Sequence, residues 1–213
     1  MTINAVKTGA GPDVKRIEFS DGSLFSFKTC YLSPLFFDDT AYCPGKEISP
    51  DEEERFRFAA ACLRAEKAAS RLVARAEQSV FGLSRKLEKA GHPAGCVRAV
   101  AARLTDLGIL DDRRFARYWL RSRLALKPDS PRKLLAGLRG RGIGRDDAAR
   151  ALKEALGPED ELGLLKRYLV KHRVFPGEGA DGGGPWPLSL LFQLKREGFS
   201  SESIHTLKET PIR

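Results

Sequence analysis

No run of about eighteen consecutive apolar residues occurs in this 213-residue chain, so no segment has the length a membrane-spanning helix requires. Met1 to Gly11 also lack an apolar stretch of signal-peptide length, and a cytoplasmic location with no membrane partner is expected. Cysteine is sparse. Cys30, Cys43, Cys62 and Cys96 show no close CxxC spacing, and only His92, His172 and His205 could join them as nitrogen ligands. They read as reduced structural thiols rather than a zinc site. The phosphate-cradling G-x-x-x-x-G-K-[ST], a G-x-G-x-x-G after a strand and the metalloprotease H-E-x-x-H are all missing. Asp111 and Asp112 are adjacent. On a helix they point about 100° apart and cannot work on one substrate as a carboxylate pair. No catalytic residue, cofactor or metal is expected, and the chain does not read as an enzyme.

What the chain does have is a repeated phrase. Leu87, Gly91, Val97 and Val100 recur as Leu138, Gly142, Ala148 and Ala151, and again as Leu194, Gly198, Ile204 and Leu207. The copies lie 51 and then 56 residues apart with the same internal offsets. A unit of about fifty residues buries little by itself, and stacked copies solve this by covering each other's apolar faces. With 42% hydrophobic and 31% charged residues, the balance is that of a folded soluble protein.

Local signals fill in the units. Residues 14–28 alternate apolar and polar side chains around Asp21-Gly22, the signature of a small two-stranded hairpin. Such a hairpin is marginal alone, so Ile17, Phe19, Leu24 and Phe27 should lean on something else, either the helical body or a partner. Residues 31–48, with Pro34, Pro44 and Gly45, read as a linker. A helix is expected from about Pro50, with Ser49 and Glu52 forming a capping box, and Phe56, Ala60, Leu63, Ala68, Leu72 and Ala76 along one face. In each repeat a second helix starts after Ser79, Ser130 or Trp186, with Pro131 and Pro187 at the first helical position, and ends on the shared glycine. A short third helix follows. The expected fold is mainly all-α: an elongated array of three tandem three-helix repeats behind an N-terminal β-hairpin. The expected divisions are 1–48 for hairpin and linker, 49–110 for repeat one, 111–156 for repeat two and 157–213 for repeat three. Repeat three is interrupted by a Gly/Pro-rich insertion at about 174–186, read as a surface loop.

Charge singles out the second repeat. Residues 111–156 carry thirteen Lys and Arg against six Asp and Glu, or +7 of the chain's +9. A concentrated positive field favours a polyanionic partner, nucleic acid or an acidic protein groove, over a merely solvated surface. In the segment Asp111 to Arg123, Gly108 ends the preceding helix and Asp111 caps the next. Phe115 and Trp119 take one side at helical spacing, as core rather than stacking residues, while Arg113, Arg117 and Arg121 form a ridge on another. Guanidinium groups fork onto phosphate or carboxylate. The candidate contact residues are therefore Arg113, Arg117, Arg121, Arg123, Arg132, Lys133, Arg139 and Arg141.

The segment Leu110-Asp111-Asp112-Arg113-Arg114-Phe115-Ala116, then Arg121-Ser122-Arg123 and Gly142-Ile143, resembles the signature of the RecX family of bacterial recombination regulators. Leu72 to Ser79 with Leu83, Lys86, Leu87, Gly91 and Leu104 to Leu110 resembles that family's first repeat, and Leu194 to Ser200 with Ile204 its third. The likeness runs in order from about residue 57 to 208. It departs at Gly82, where the family commonly has Glu, at His92, where an aliphatic or aromatic residue is usual, and at Ser130, where glycine is usual. The resemblance implies three tandem three-helix repeats that bind the RecA recombinase, lie along its nucleoprotein filament and restrain filament growth and activity. It also implies a place in DNA repair and the SOS response, and some direct affinity for single- or double-stranded DNA through backbone contacts. The protein is expected to act as a monomer. Two other readings stay open on the residues: a DNA-binding regulator acting without RecA, for which the third helix of repeat two offers Arg145, Arg150 and Lys153, and a helical scaffold for some other partner.

Overall fold

The computed structural model describes residues 1–9, 11, 13–32, 42–156, 160–173 and 186–209. Its contacts divide the chain into two compact units, Met1–Leu110 and Asp111–Arg213. The insertion at 174–185 and residues 33–41 of the expected linker lie outside the described residues.

The first unit opens with a three-stranded antiparallel sheet in the order β1 (Ile3–Thr8), β2 (Val14–Phe19) and β3 (Leu24–Lys28). The Asp21-Gly22 hairpin forms between β2 and β3, with Gly22 at φ +81°. β1 extends the expected pair to three strands, pairing Val6 with Ile17. Its Ile-Asn-Ala-Val-Lys-Thr has too weak an alternation to announce itself. Ile17, Phe19 and Phe27 are fully buried as expected, but Leu24 is 42% exposed. Strand pairing sets Ile17 opposite Phe25, so Phe25 rather than Leu24 shares the core face with Phe27. Residues 45–48 run beside β1: the Ile3 amide donates to the Lys46 carbonyl, and the Ile48 amide to that of Met1.

The sheet leans on α1 (Pro50–Arg75), whose Ser49/Glu52 capping box is complete. Phe56 is the junction. Its ring lies 5.2 Å from that of Phe27 and edge-on, at 5.2 Å, to Tyr42. Because the helix packs on the sheet and on its own repeat, its buried surface is a broad band including Ala59, Ala61, Cys62, Ala65 and Ala69, not one stripe. Ala76, expected on the face, is instead the exposed C-cap. α2 (Val80–Lys89) and α3 (Ala94–Asp106) complete repeat one around Leu83, Leu87, Val97, Val100 and Leu104. Cys62 and Cys96 are buried packing residues, whereas Cys30 and Cys43 are exposed; all four thiols are free.

A buried charge fastens this unit. The Glu66 carboxylate of α1 accepts from Lys28 Nζ at 2.6 Å and from the Tyr31 phenol, with Arg103 Nε of α3 at 3.7 Å. Burial alone would push its carboxyl up, but the Lys28 and Tyr31 donors win and hold it below the ordinary value. Sheet, α1 and α3 thus meet on one side chain.

The second unit comprises α4 (Asp112–Leu126), α5 (Pro131–Arg139), α6 (Arg145–Ala155), α7 (Asp160–Lys171), α8 (Leu188–Glu197) and α9 (Ser201–Glu209). Both of its three-helix sets feed one core, in which Leu120, Leu134, Leu138 and Ala148 join Leu165, Leu190, Leu194 and Ile204. Sharing a core is how two short repeats bury what neither could bury alone.

The repeated phrase has one structural meaning in all three copies. Gly91, Gly142 and Gly198 take φ of +86°, +84° and +94°. The next amide, of His92, Ile143 or Phe199, reaches back to the carbonyl of Leu87, Leu138 or Leu194 at 3.1, 3.2 and 3.1 Å. The glycine amide bonds to Glu88, Arg139 or Lys195. This pair of bonds is the Schellman motif, which needs a left-handed residue where it turns. At the helix starts, Ser79 and Ser130 accept from the amides of Gly82 and Lys133. In the third repeat Pro187 is itself the N-cap and α8 begins one residue later than expected, with no capping side chain.

Candidate partner interface

The basic surface of repeat two is organised by α4. Asp111 caps it, its carboxylate accepting from the amides of Arg113 at 2.9 Å and Arg114 at 3.0 Å. Those bonds, led by that from Arg114 and helped by the charges of Arg114 and Arg117, hold the Asp111 carboxyl below its ordinary value. Ala116 and Leu120 point fully into the core, flanked by Phe115, Trp119 and Leu124. With that face fixed, helical period turns Arg113, Arg117 and Arg121 outward, and all three are exposed.

Spacing alone did not reveal how differently the eight candidates are held. Arg113 Nε donates to Asp147 of α6 at 2.9 Å. Arg123 is half-buried and paired with Asp129 in the α4–α5 connection. Lys133 donates to the Glu197 carboxylate at the end of α8. Arg132 is exposed, with its stem beside Gly198. Arg141 donates to the Gly137 carbonyl at 2.8 Å and places its guanidinium 4.7 Å over the Trp119 ring. That ring also closes on Gly137, where a Cβ would stand 2.5 Å from it, so Trp119 is clamped between α5 and Arg141. Arg117, Arg121 and Arg139 remain exposed, and among the described residues no carboxylate forms an ion pair with them. They present unspent guanidinium groups; Arg113, Arg123 and Lys133 already hold carboxylates.

Sequence reasoning passed over two exposed aromatics of the second unit. Tyr118, 60% exposed, follows Arg117 on α4, and Phe192, 71% exposed, follows Leu188 by one turn on α8. Aromatic side chains beside arginines are the composition partner surfaces favour. Burial of the Leu190 and Leu194 positions would have assigned Leu188 and Phe192 to the outer face had the repeat phasing been extended to them. Among the described residues no group of three His, Cys, Asp or Glu is placed to hold a metal ion, and no helix is long and apolar enough to cross a membrane.

Residues 111–152 match the family model of the RecX second three-helix domain. The chain is 42% identical over 139 residues to the regulatory protein RecX of Treponema pallidum (strain Nichols), covering 65% of this chain and 81% of that protein. It is 41% identical over 165 residues to the regulatory protein RecX of Mycobacterium leprae (strain Br4923), covering 78% and 90%. The chain belongs to the RecX family. Its fold also matches a crystal structure of regulatory protein RecX with a TM-score of 0.74 at 19% identity, over 98% of this chain and 99% of the other. Within this RecX-family chain, the matched domain is the one that carries the arginine ridge and its Asp111 cap.

Proposed function

We propose that this chain is a negative modulator of the RecA recombinase. In this reading it binds the RecA nucleoprotein filament and restrains filament extension, ATP hydrolysis and recombination. Membership of a family whose relatives are named regulatory proteins supports a regulatory role. The observation that carries the finer reading is the exposed pair Arg117 and Arg121, without ion partners among the described residues, on the most basic repeat. A filament of protein wound on DNA offers both carboxylates and phosphates, and guanidinium groups fork onto either. Contacts to DNA would go to the backbone, since exposed charge without groove-reading side chains carries no sequence information. The protein acts as a monomer in this scheme, and no cofactor takes part.

The test is RecA's single-strand-dependent ATP hydrolysis, with RecA of the same organism, while this protein is titrated at fixed salt. Hydrolysis should fall at substoichiometric amounts, because one bound molecule restrains many filament subunits. Unchanged hydrolysis, with the protein folded and still binding naked DNA, would turn the assignment to a DNA-binding regulator independent of RecA.

A further inference from the structure

In the first unit, a groove of about 480 Å³ lies between β2, β3 and the middle of α1. Arg16 and Lys28 line it from the sheet, Lys67 and Arg71 from the helix. The acidic residue in its wall, Glu66, is already engaged by Lys28, Tyr31 and Arg103. Arg16, Lys67 and Arg71 are exposed, and among the described residues none forms an ion pair. After Lys28 and Glu66 cancel, three positive charges face one concavity, where low-dielectric walls concentrate their field.

We infer that this groove, together with the outer stripe of α1, is a seat for the phosphodiester backbone of a nucleic acid, separate from the arginine ridge of repeat two. The side chains fit a phosphate. Ser26 pairs across the hairpin with Arg16, and its hydroxyl has no bond partner among the described residues, leaving it to donate to a phosphate oxygen beside the guanidinium. The apolar side chains in the lining are Val14 and Leu63, and no aromatic is among them. That lining offers neither a platform for bases nor the deep apolar anchor on which a peptide partner would depend. It selects for backbone charge.

The helix continues the track. Arg64, Lys67, Arg71 and Arg75 are all exposed and recur at three- and four-residue spacing on one stripe of α1, which carries the positive surface about 16 Å along the helix axis. A chain of phosphates can follow such a stripe out of the groove, whereas a single small anion would not use it. This inference involves no RecA and does not rest on the proposed regulatory role.

The test uses the full chain and a short fluorescein-labelled oligothymidylate, with anisotropy followed against salt and no RecA present. Arg16→Glu combined with Arg71→Glu should raise the dissociation constant about ten-fold or more at low salt. It should also flatten the plot of log affinity against log salt by about 1.4, the loss of two single-strand phosphate contacts. Circular dichroism and thermal melting confirm that the variant is folded. Affinity and slope equal to the parent chain in a folded variant would overturn the site. So would loss of binding to polyglutamate with oligothymidylate binding intact, since the groove would then serve an acidic protein. Should the variant fail to fold, acetylation of the unaltered protein decides: the oligothymidylate should shield Lys67 but not Lys89, exposed on α2, and equal labelling of Lys67 with and without it would overturn the inference.

Discussion

The Ser130 hydroxyl donates to the backbone carbonyl of Glu197 at 2.6 Å, across 67 residues of sequence, while its oxygen accepts from the Lys133 amide at 3.3 Å. One buried oxygen thus closes the start of α5 and the end of α8, where both helices have unsatisfied backbone groups. A glycine here could do neither with a side chain. Replacing Ser130 with alanine removes a cap and strands a carbonyl, and should cost about 1–3 kcal/mol. Urea unfolding measures it: the midpoint should fall with the slope unchanged, and a midpoint equal to the parent's would remove the hydroxyl from the account.

Gly91 and Gly198 share a backbone conformation but not an environment. A Cβ at Gly91 meets nothing within 4 Å, whereas one at Gly198 would lie 2.9 Å from both Arg132 Cβ and Ser130 Oγ. Gly91→Ala should therefore cost only the left-handed penalty of about 1–2 kcal/mol. Gly198→Ala should cost distinctly more, because the α5 start must shift to make room. Equal losses for the two variants, compared by denaturant titration, would show that this helix start yields freely.

The glycine and leucine positions were legible because each answers a local demand. A left-handed cap favours a residue without a Cβ, and the apolar offsets follow from helical period. Positions fixed by distant partners were not. Glu66 sits in a stretch that reads as an ordinary helix surface, and nothing in its spacing announces Lys28 and Tyr31, 38 and 35 residues earlier. The same blindness applies at the arginine surface: period turned Arg117 and Arg121 outward correctly, but could not tell that Asp129 and Glu197 claim Arg123 and Lys133. β1 was missed because a strand added to a hairpin edge needs no turn signal of its own, and Pro187 because a proline suits the N-cap as well as the first turn.

Glu52 makes the first unit sensitive to acid. Its carboxylate accepts from the Ser49 amide at 2.7 Å, the Tyr42 phenol at 3.0 Å and Lys46 at 3.2 Å. These donors, the Ser49 amide foremost, bring its pKa from an ordinary 4.5 to about 2, and the Tyr42 phenol is pushed up to about 12 by burial and this bond. A carboxyl depressed on folding contributes stability that is fully present above pH 4.5 and is lost as pH falls towards 2, by up to about 3 kcal/mol. Glu52→Gln should lower the denaturation midpoint at pH 6 and flatten its decline between pH 4.5 and 2. A variant whose acid limb parallels the parent's would place the sensitivity on other carboxylates.

Under the proposed RecA role, the contrast on α4 between arginines with and without an ion pair among the described residues should separate recognition from folding. Arg117→Glu with Arg121→Glu reverses two exposed charges that hold no ion pair among the described residues, so unfolding, even with the Arg117 charge lost near the Asp111 cap, should shift by no more than about 1 kcal/mol, while inhibition of RecA ATP hydrolysis should weaken at least about ten-fold, as expected when close charge pairs across an interface are reversed. Arg123→Glu should do the opposite. It sets a carboxylate against Asp129 in a half-buried place, so stability should drop by about 1–3 kcal/mol, with inhibition by the folded fraction retained. If the Arg117/Arg121 double variant is folded and inhibits as well as the parent, the ridge is a solvated surface and not the proposed filament contact.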